Sequence, residues 1–314
     1  AGLVGREQGL SYISFYISLL SRFCFELCSV TAMEDKEEQL ILSLQDLRLQ
    51  ERDEEGEEEE ETESMAETES ILSLKEVEEI IGYSFNDQGL LEEAFTHGSY
   101  RENVTSYERL EFVGDSVLNL LIANEHYFLY PDLPPGKLTR LRAANVDTEK
   151  LARVAVKLNL HKYLRHKKPL FDAQIRDFLD AILEYPLHSY GLIDAPKVLA
   201  DMVESTVGAL FIDSKSMDTT WKAVKRLLEP IITPATLKTH PMTKLYEICQ
   251  KNGYKVQFVD EWKETGEIDV SVNNEFAGKG IFRPKRLIAL NRAANNAYYE
   301  IVRKLGMEDN DDDH

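Results

Sequence analysis

The 314 residues are enough for two domains plus tails, and three cysteines make no disulfide framework, which points to a reducing compartment. The formal charge of −20 argues against a nucleic-acid partner only until it is counted by segment. Residues 34–69 hold 17 acids and 3 bases and residues 308–314 hold 5 acids, so these tails carry −14 and −5 and leave −1 for everything else.

Residues 1–33 contain no initiating Met before Met33, where the composition changes. Leu10 to Leu20 is an apolar run shorter than the ~20 residues of a membrane span, and Arg22 and Glu26 interrupt its continuation. Without a small-residue cleavage pattern or an Arg-rich composition, the segment reads as a leader or translated upstream sequence outside the fold. A secretory signal and an organellar remnant are the alternatives, and no membrane association is expected. Residues 34–70 form an acidic segment that repels itself and is expected to be disordered. It is either a solvated linker or an RNA mimic that screens a basic surface. Asn103-Val-Thr105 matches a glycosylation sequon with no secretory route to use it.

From Leu74 the helical period takes over, with short amphipathic helices over 74–81 and 88–96 joined by Gly-Tyr-Ser-Phe-Asn-Asp. Tyr107-Glu-Arg-Leu-Glu-Phe-Val-Gly-Asp-Ser-Val-Leu118 then reads as a helix running on to Tyr127. Its acids Glu108, Glu111 and Asp115, spaced i, i+3, i+7, share one face. Leu110, Phe112, Val113, Val117 and Leu118 are expected to bury the rest. Gly114 in the helix interior costs about 1 kcal/mol relative to Ala, so a close backbone approach is expected there. Pro131 to Gly136 breaks the chain, and Lys137-Leu-Thr-Arg-Leu-Arg142 opens another helix. Its Lys137, Arg140 and Arg142 are candidate phosphate contacts or plain solvated charges. The stretch His161 to Lys168 packs four Lys/Arg and two His into eight residues, among them Lys167 and Lys168, and can track a phosphate backbone. A second apolar helix, Pro196 to Leu210, carries Asp201 and Glu204 at i and i+3. Acids on buried helices resist ionising, and a hard divalent cation, Mg²⁺ or Mn²⁺, is the usual means of holding them charged.

After a linker at 232–240, Met242 to Gln250 reads as a helix, and 255–262, 267–273 and 275–282 alternate as three strands. Glu264-Thr-Gly266 and Asn273-Asn274 are the turns, and Leu287 to Leu305, carrying Ala289, Ala293, Ala294 and Ala297, is a closing helix. Residues 238–304 hold twelve Lys/Arg against eight Asp/Glu.

Three ordered motifs carry a specific resemblance: Leu90 to Tyr100, Glu108 to Leu118, and Leu199 to Ala209. Together they resemble the ribonuclease III family over about residues 74–231, most closely the small plant ribonuclease III-like proteins and Dicer. The helix, three strands and helix that follow resemble a double-stranded-RNA-binding domain. The implied architecture is multidomain, an all-α nuclease domain at 71–231 and a small α+β (α-β-β-β-α) domain at 241–306, followed by an acidic tail at 307–314.

The resemblance implies an endoribonuclease that depends on Mg²⁺, with Mn²⁺ as the other ion, and cleaves double-stranded RNA to products with 5′-phosphates and short 3′ overhangs. It assigns Glu108, Asp115, Asp201 and Glu204 to metal binding and catalysis. Lys197 is assigned to the transition-state phosphate, and Glu111 to the interface of a homodimer. His97 is expected to cap and pack the turn before the first acidic helix. Of the family's basic positions at the start of the last helix only Arg286 is retained, while Lys279, Arg283, Lys285 and Arg292 can compensate. The first strand connection lacks the family's usual Gly-Pro and His, so RNA affinity there is expected to be weak. Pro135 replaces an auxiliary acid of bacterial members. The alternative function is a non-cleaving duplex-RNA-binding scaffold. The expected location is intracellular, nucleus or cytoplasm, with an organelle as the alternative.

Overall fold

The computed structural model describes residues 74–102 and 104–307. The leader, the acidic segment, Asn103 of the sequon and the acidic tail lie outside these residues. Helix α1 (Leu74–Ile81) buries Val77 and Ile81. Helix α2 (Gln88–Ala94) starts at Asp87, whose carboxylate accepts a hydrogen bond from the Gly89 N–H at 2.9 Å. A distant carboxylate fixes the connection between them. Asp213 accepts from the Tyr83 hydroxyl at 2.7 Å and from the backbone N–H groups of Asn86 and Asp87.

There follow α3 (Glu108–Leu129), α4 (Pro135–Val146), α5 (Thr148–Lys157), α6 (Pro169–Glu184), α7 (Lys197–Ser214) and α8 (Met217–Leu228). Their starts are written locally. Pro135 and Pro169 sit at first-turn positions, where the missing N–H has no intrahelical partner to lose. Asp147 caps α5 through the Lys150 N–H at 2.8 Å and Ser216 caps α8, each cap being worth about 1 kcal/mol. The helix expected from Lys137 therefore begins two residues earlier. The basic run at 161–168 enters through a 3-10 turn at Leu160–Tyr163, and Arg165 then forms a backbone bridge with Thr96.

Helix α7 is apolar on nearly every side and is buried among α2, α3, α5 and α8. Its closest neighbour is α3, and two glycines make the approach possible. A Cβ on Gly114 would lie 1.7 Å from the Glu204 carbonyl oxygen, and one on Gly208 would lie 2.1 Å from that of Leu110. Backbone thus meets backbone at the level of the acidic residues, which meets the expectation for Gly114.

The C-terminal part comprises α9 (Pro241–Asn252), β1 (Val256–Asp260), a short helix α10 (Trp262–Thr265), β2 (Glu267–Val272), β3 (Glu275–Ile281) and α11 (Arg286–Leu305). The strands form an antiparallel sheet in the order β1-β2-β3. Asn273 and Asn274, with φ of 52° and 66°, make the tight β2–β3 turn. The first connection is the short helix α10, not the simple turn expected at Glu264–Gly266. Small residues again set the packing. Gly278 and Gly280 of β3 lie against the backbone of α11, whose Ala289, Ala293, Ala294 and Ala297 are fully buried.

The described residues belong to one compact unit, and the start of α11 is fastened to the loop before α7. Lys285 Nζ lies 2.8 Å from Asp194, Asn291 Nδ2 donates to the Gly191 carbonyl at 2.8 Å, and Arg292 Nε donates to that of Leu192 at 2.8 Å. The loop is itself anchored on α5. Glu149 accepts from the Ser189 N–H and hydroxyl and pairs with Arg153, while His188 meets Asp147 at 2.9 Å.

Candidate active site

The close α3–α7 contact brings carboxylates from two helices together. One oxygen each from Glu111, Asp201 and Glu204 lie within 4.8 Å of one another. Asp201 is buried at 8% exposure, Glu111 and Glu204 are half-buried, and Asp115, one turn along α3 from Glu111, is exposed. Asp115 Oδ1 accepts from Asn119 Nδ2 at 2.9 Å.

The sequence reading placed Glu108 with the metal-binding acids and Glu111 at a dimer interface, and the structure gathers Glu111, not Glu108, with Asp201 and Glu204. Glu111 lies inside the acid cluster, whereas Glu108, at the exposed start of α3, accepts a hydrogen bond from the Ser106 hydroxyl. The cause is the position of α7, whose close approach to α3 runs from Leu110 to Gly114. Lys197 stands at the edge of the cluster. Its Nζ lies 2.5 Å from Asp201 Oδ1 and 3.1 Å from Glu111 Oε1.

Burial and mutual repulsion dominate the electrostatics. Glu204 is pushed up to about 8, first by burial and then by the charges of Asp115, Asp201 and Glu111. Burial also raises Asp201, against the opposing hydrogen bond from Lys197. Burial works against the Lys197 charge, but hydrogen bonds to Asp201 and Glu111 outweigh it and raise its pKa. Tyr107, buried beside the cluster, is raised by burial and by Asp201, Glu111 and Glu108. Oxygen ligands of this kind, crowded enough to hold a proton when alone, fit a hard divalent cation.

The other sequence-predicted contacts are mostly engaged within the chain. Lys279 pairs with Glu267 at 2.6 Å, Lys285 with Asp194, Arg286 Nε with Asp260 at 2.6 Å, and Arg283 donates to the Glu264 carbonyl at 2.8 Å. Lys168 stands over the Phe171 ring, and the Lys167 N–H donates to Ser99. His97 accepts from the Ser99 N–H at 3.0 Å and packs edge-on to Tyr107 and Phe171, as expected of a turn-packing residue.

One apolar expectation fails. Phe112 is 77% exposed, not buried, and Leu120, Tyr127 and Phe128 continue an exposed apolar face along α3. The helix has more apolar residues than its contact with α7 consumes. The sequence reading also missed the anchoring set of Asp147, Glu149, His188 and Ser189. Its local signal is weak, since Asp147 reads as an ordinary helix cap and the others pair across forty residues.

Residues 108–215, which span α3 to α7 and hold every member of the acid cluster, match the Ribonuclease III domain family. Ribonuclease 3-like protein 3 of Oryza sativa subsp. japonica is 48% identical over 236 residues, covering 73% of this chain and 79% of that protein. The Endoribonuclease Dicer homolog 1 of Arabidopsis thaliana is 41% identical over 237 residues, 73% of this chain but 12% of that protein. Among solved structures, the nuclease domain of ribonuclease III from Campylobacter jejuni aligns with 51% of this chain and 98% of its own at 26% identity and a TM-score of 0.40. Residues 108–215, which carry the acid-lined helix pair, are a ribonuclease III domain, and the chain belongs to the ribonuclease III family. It is a ribonuclease III-type endoribonuclease, similar to the plant ribonuclease 3-like proteins.

Proposed function

We propose that the protein cleaves double-stranded RNA by Mg²⁺-dependent hydrolysis, with Mn²⁺ as a substitute, leaving 5′-phosphates and short 3′ overhangs. The observation that carries this reading is the convergence of Glu111, Asp201 and Glu204 within 4.8 Å, with Lys197 at its edge. These three acids and Asp115 would hold the ion. When bound, a divalent cation lowers the pKa of a water and offsets charge on the departing 3′-oxygen. The chain's own contribution is orientation. Asp201 and Glu111 fix the Lys197 ammonium beside the acids, where it can meet a phosphate oxygen as charge builds there. Tyr107 and the apolar body of α7 keep water from the inner side of the cluster.

The exposed apolar face of α3 supports a homodimer, because an apolar patch of this kind normally marks an association surface. Two copies would then supply one cutting site per strand. For the C-terminal part we propose a double-stranded-RNA-binding-like domain over 241–306, joined by a 232–240 linker to a nuclease domain at 71–231. Its helix–three-strand–helix order supports this reading, and the internal pairing of Lys279, Lys285 and Arg286 supports weak RNA affinity on that face.

The test is incubation of a perfect RNA duplex with Mg²⁺ and either the wild type or Glu204→Gln, followed by mapping of the ends. Staggered cuts with 5′-phosphates by the wild type alone are expected. Equal cutting by Glu204→Gln, or an intact duplex with the wild type, overturns the proposal.

A further inference from the structure

A cleft of about 1170 Å³ lies between the nuclease helices and the C-terminal part. Its walls are α4 and α9, with the 237–240 segment and the start of α11 closing it. Lys137 and Arg140 project from α4, Lys251 from α9 and Lys238 from the connecting segment, all exposed. None of these four makes an ion pair among the described residues. The acids of the cleft are largely spent. Asp147 is paired with His188, Glu149 with Arg153 and Asp194 with Lys285, which leaves Glu247. The cleft is therefore net positive. Lys197 lines it too, so the cleft opens directly beside the acid cluster.

We propose that this cleft binds a short single-stranded stretch of RNA continuous with the strand that lies across the acids. The proposal rests on the reading of the acid cluster as an RNA-cutting site and adds a second, separate contact to it. Its size favours a single strand over a duplex. The volume slightly exceeds the ~300–1,000 Å³ that accommodates one drug-sized molecule, room for a few linked nucleotides but not for the cross-section of a double helix. Its chemistry matches as well. Sites for unpaired nucleic acid combine a basic groove that follows the backbone with aromatic rings that stack on bases. Here Tyr298, half-buried on α11 with Lys244 over its ring at 5.2 Å, supplies a ring within the groove. The fastening of α11 to the loop before α7 holds the two walls in register. The substrates favoured would be duplexes with unpaired flanks or overhangs.

The experiment uses the full chain with chelator, so that nothing is cut, and a fluorescein-labelled oligouridylate eight nucleotides long as probe. Anisotropy is read against salt for the wild type, Lys238→Glu/Lys251→Glu, and the charge-conserving Lys238→Arg/Lys251→Arg. The wild type and the Arg variant are expected to bind alike. The Glu variant should bind at least about tenfold more weakly, with a log–log salt slope shallower by about 1.4, at about 0.7 for each lost phosphate contact. With Mg²⁺, the Glu variant should cut a blunt duplex at the wild-type rate and a flanked duplex more slowly. Equal binding by wild type and Glu variant overturns the proposal, and so does a loss of blunt-duplex cleavage as large as the loss on flanked duplex. Should oligonucleotide binding follow the expected pattern while no protein cuts any duplex, the cleft stands and the catalytic reading falls.

Discussion

Glu204 concentrates the physics of the site. Burial and three neighbouring carboxylates hold its carboxyl near 8, well above the ordinary 4.5. Between those values the folded chain keeps a proton that the unfolded chain has released. The stabilisation this gives is complete below the unfolded pKa and is lost as pH rises through about 8. A divalent cation must displace that proton at low pH and need not at high pH. The rise in melting temperature on adding Mg²⁺ should therefore grow from about pH 6.5 to about pH 8.5, and Glu204→Gln should flatten the dependence. Differential scanning fluorimetry reads this directly. A shift independent of pH in the wild type would mean that the ion does not bind through Glu204. Lys197 came only from the family resemblance, whereas residue type and spacing were enough to single out all five acids. They could not tell Glu108 from Glu111, because i and i+3 lie on the same helix face. The choice depends on which turn of α3 the neighbouring helix crosses.

Among the elements, the α3–α7 pair governs the site. Gly114 and Gly208 have no room for a methyl group, since each ideal Cβ falls about 2 Å from a carbonyl oxygen of the opposite helix, at 1.7 and 2.1 Å. Because the obstacle is backbone, no side chain can move aside. Gly114→Ala should destabilise the fold by at least about 1–3 kcal/mol in denaturant unfolding, despite the better helix propensity of Ala. Unchanged stability would mean that the helices are further apart than described. The helices α3 and α7, the β2–β3 turn and the alanine face of α11 were legible because each is encoded by neighbours in sequence. The exposure of Phe112, the helical first connection of the sheet and the fastening of α11 to Gly191 and Leu192 were not. The last two depend on partners far away in the chain, and the first on how much of α3 the contact with α7 covers.

For the whole molecule the open question is assembly. An α3 face bearing Phe112, Leu120, Tyr127 and Phe128 in the open should pair with a second copy. Phe112→Glu, which puts a charge at the start of that face, should shift the protein from dimer to monomer in light scattering after size exclusion. Staggered double cuts should disappear with the dimer. A dimer that survives this change places the interface elsewhere. One comparison tests most directly which acids hold the ion: cleavage of an RNA duplex under saturating Mg²⁺ by Glu111→Gln beside Glu108→Gln. Glu111→Gln should lose at least about tenfold to a hundredfold in rate, the loss that removing even an outer partner of a bound metal causes, while Glu108→Gln stays close to wild type. The reverse result, Glu108→Gln inactive and Glu111→Gln active, would contradict the cluster formed by α3 and α7.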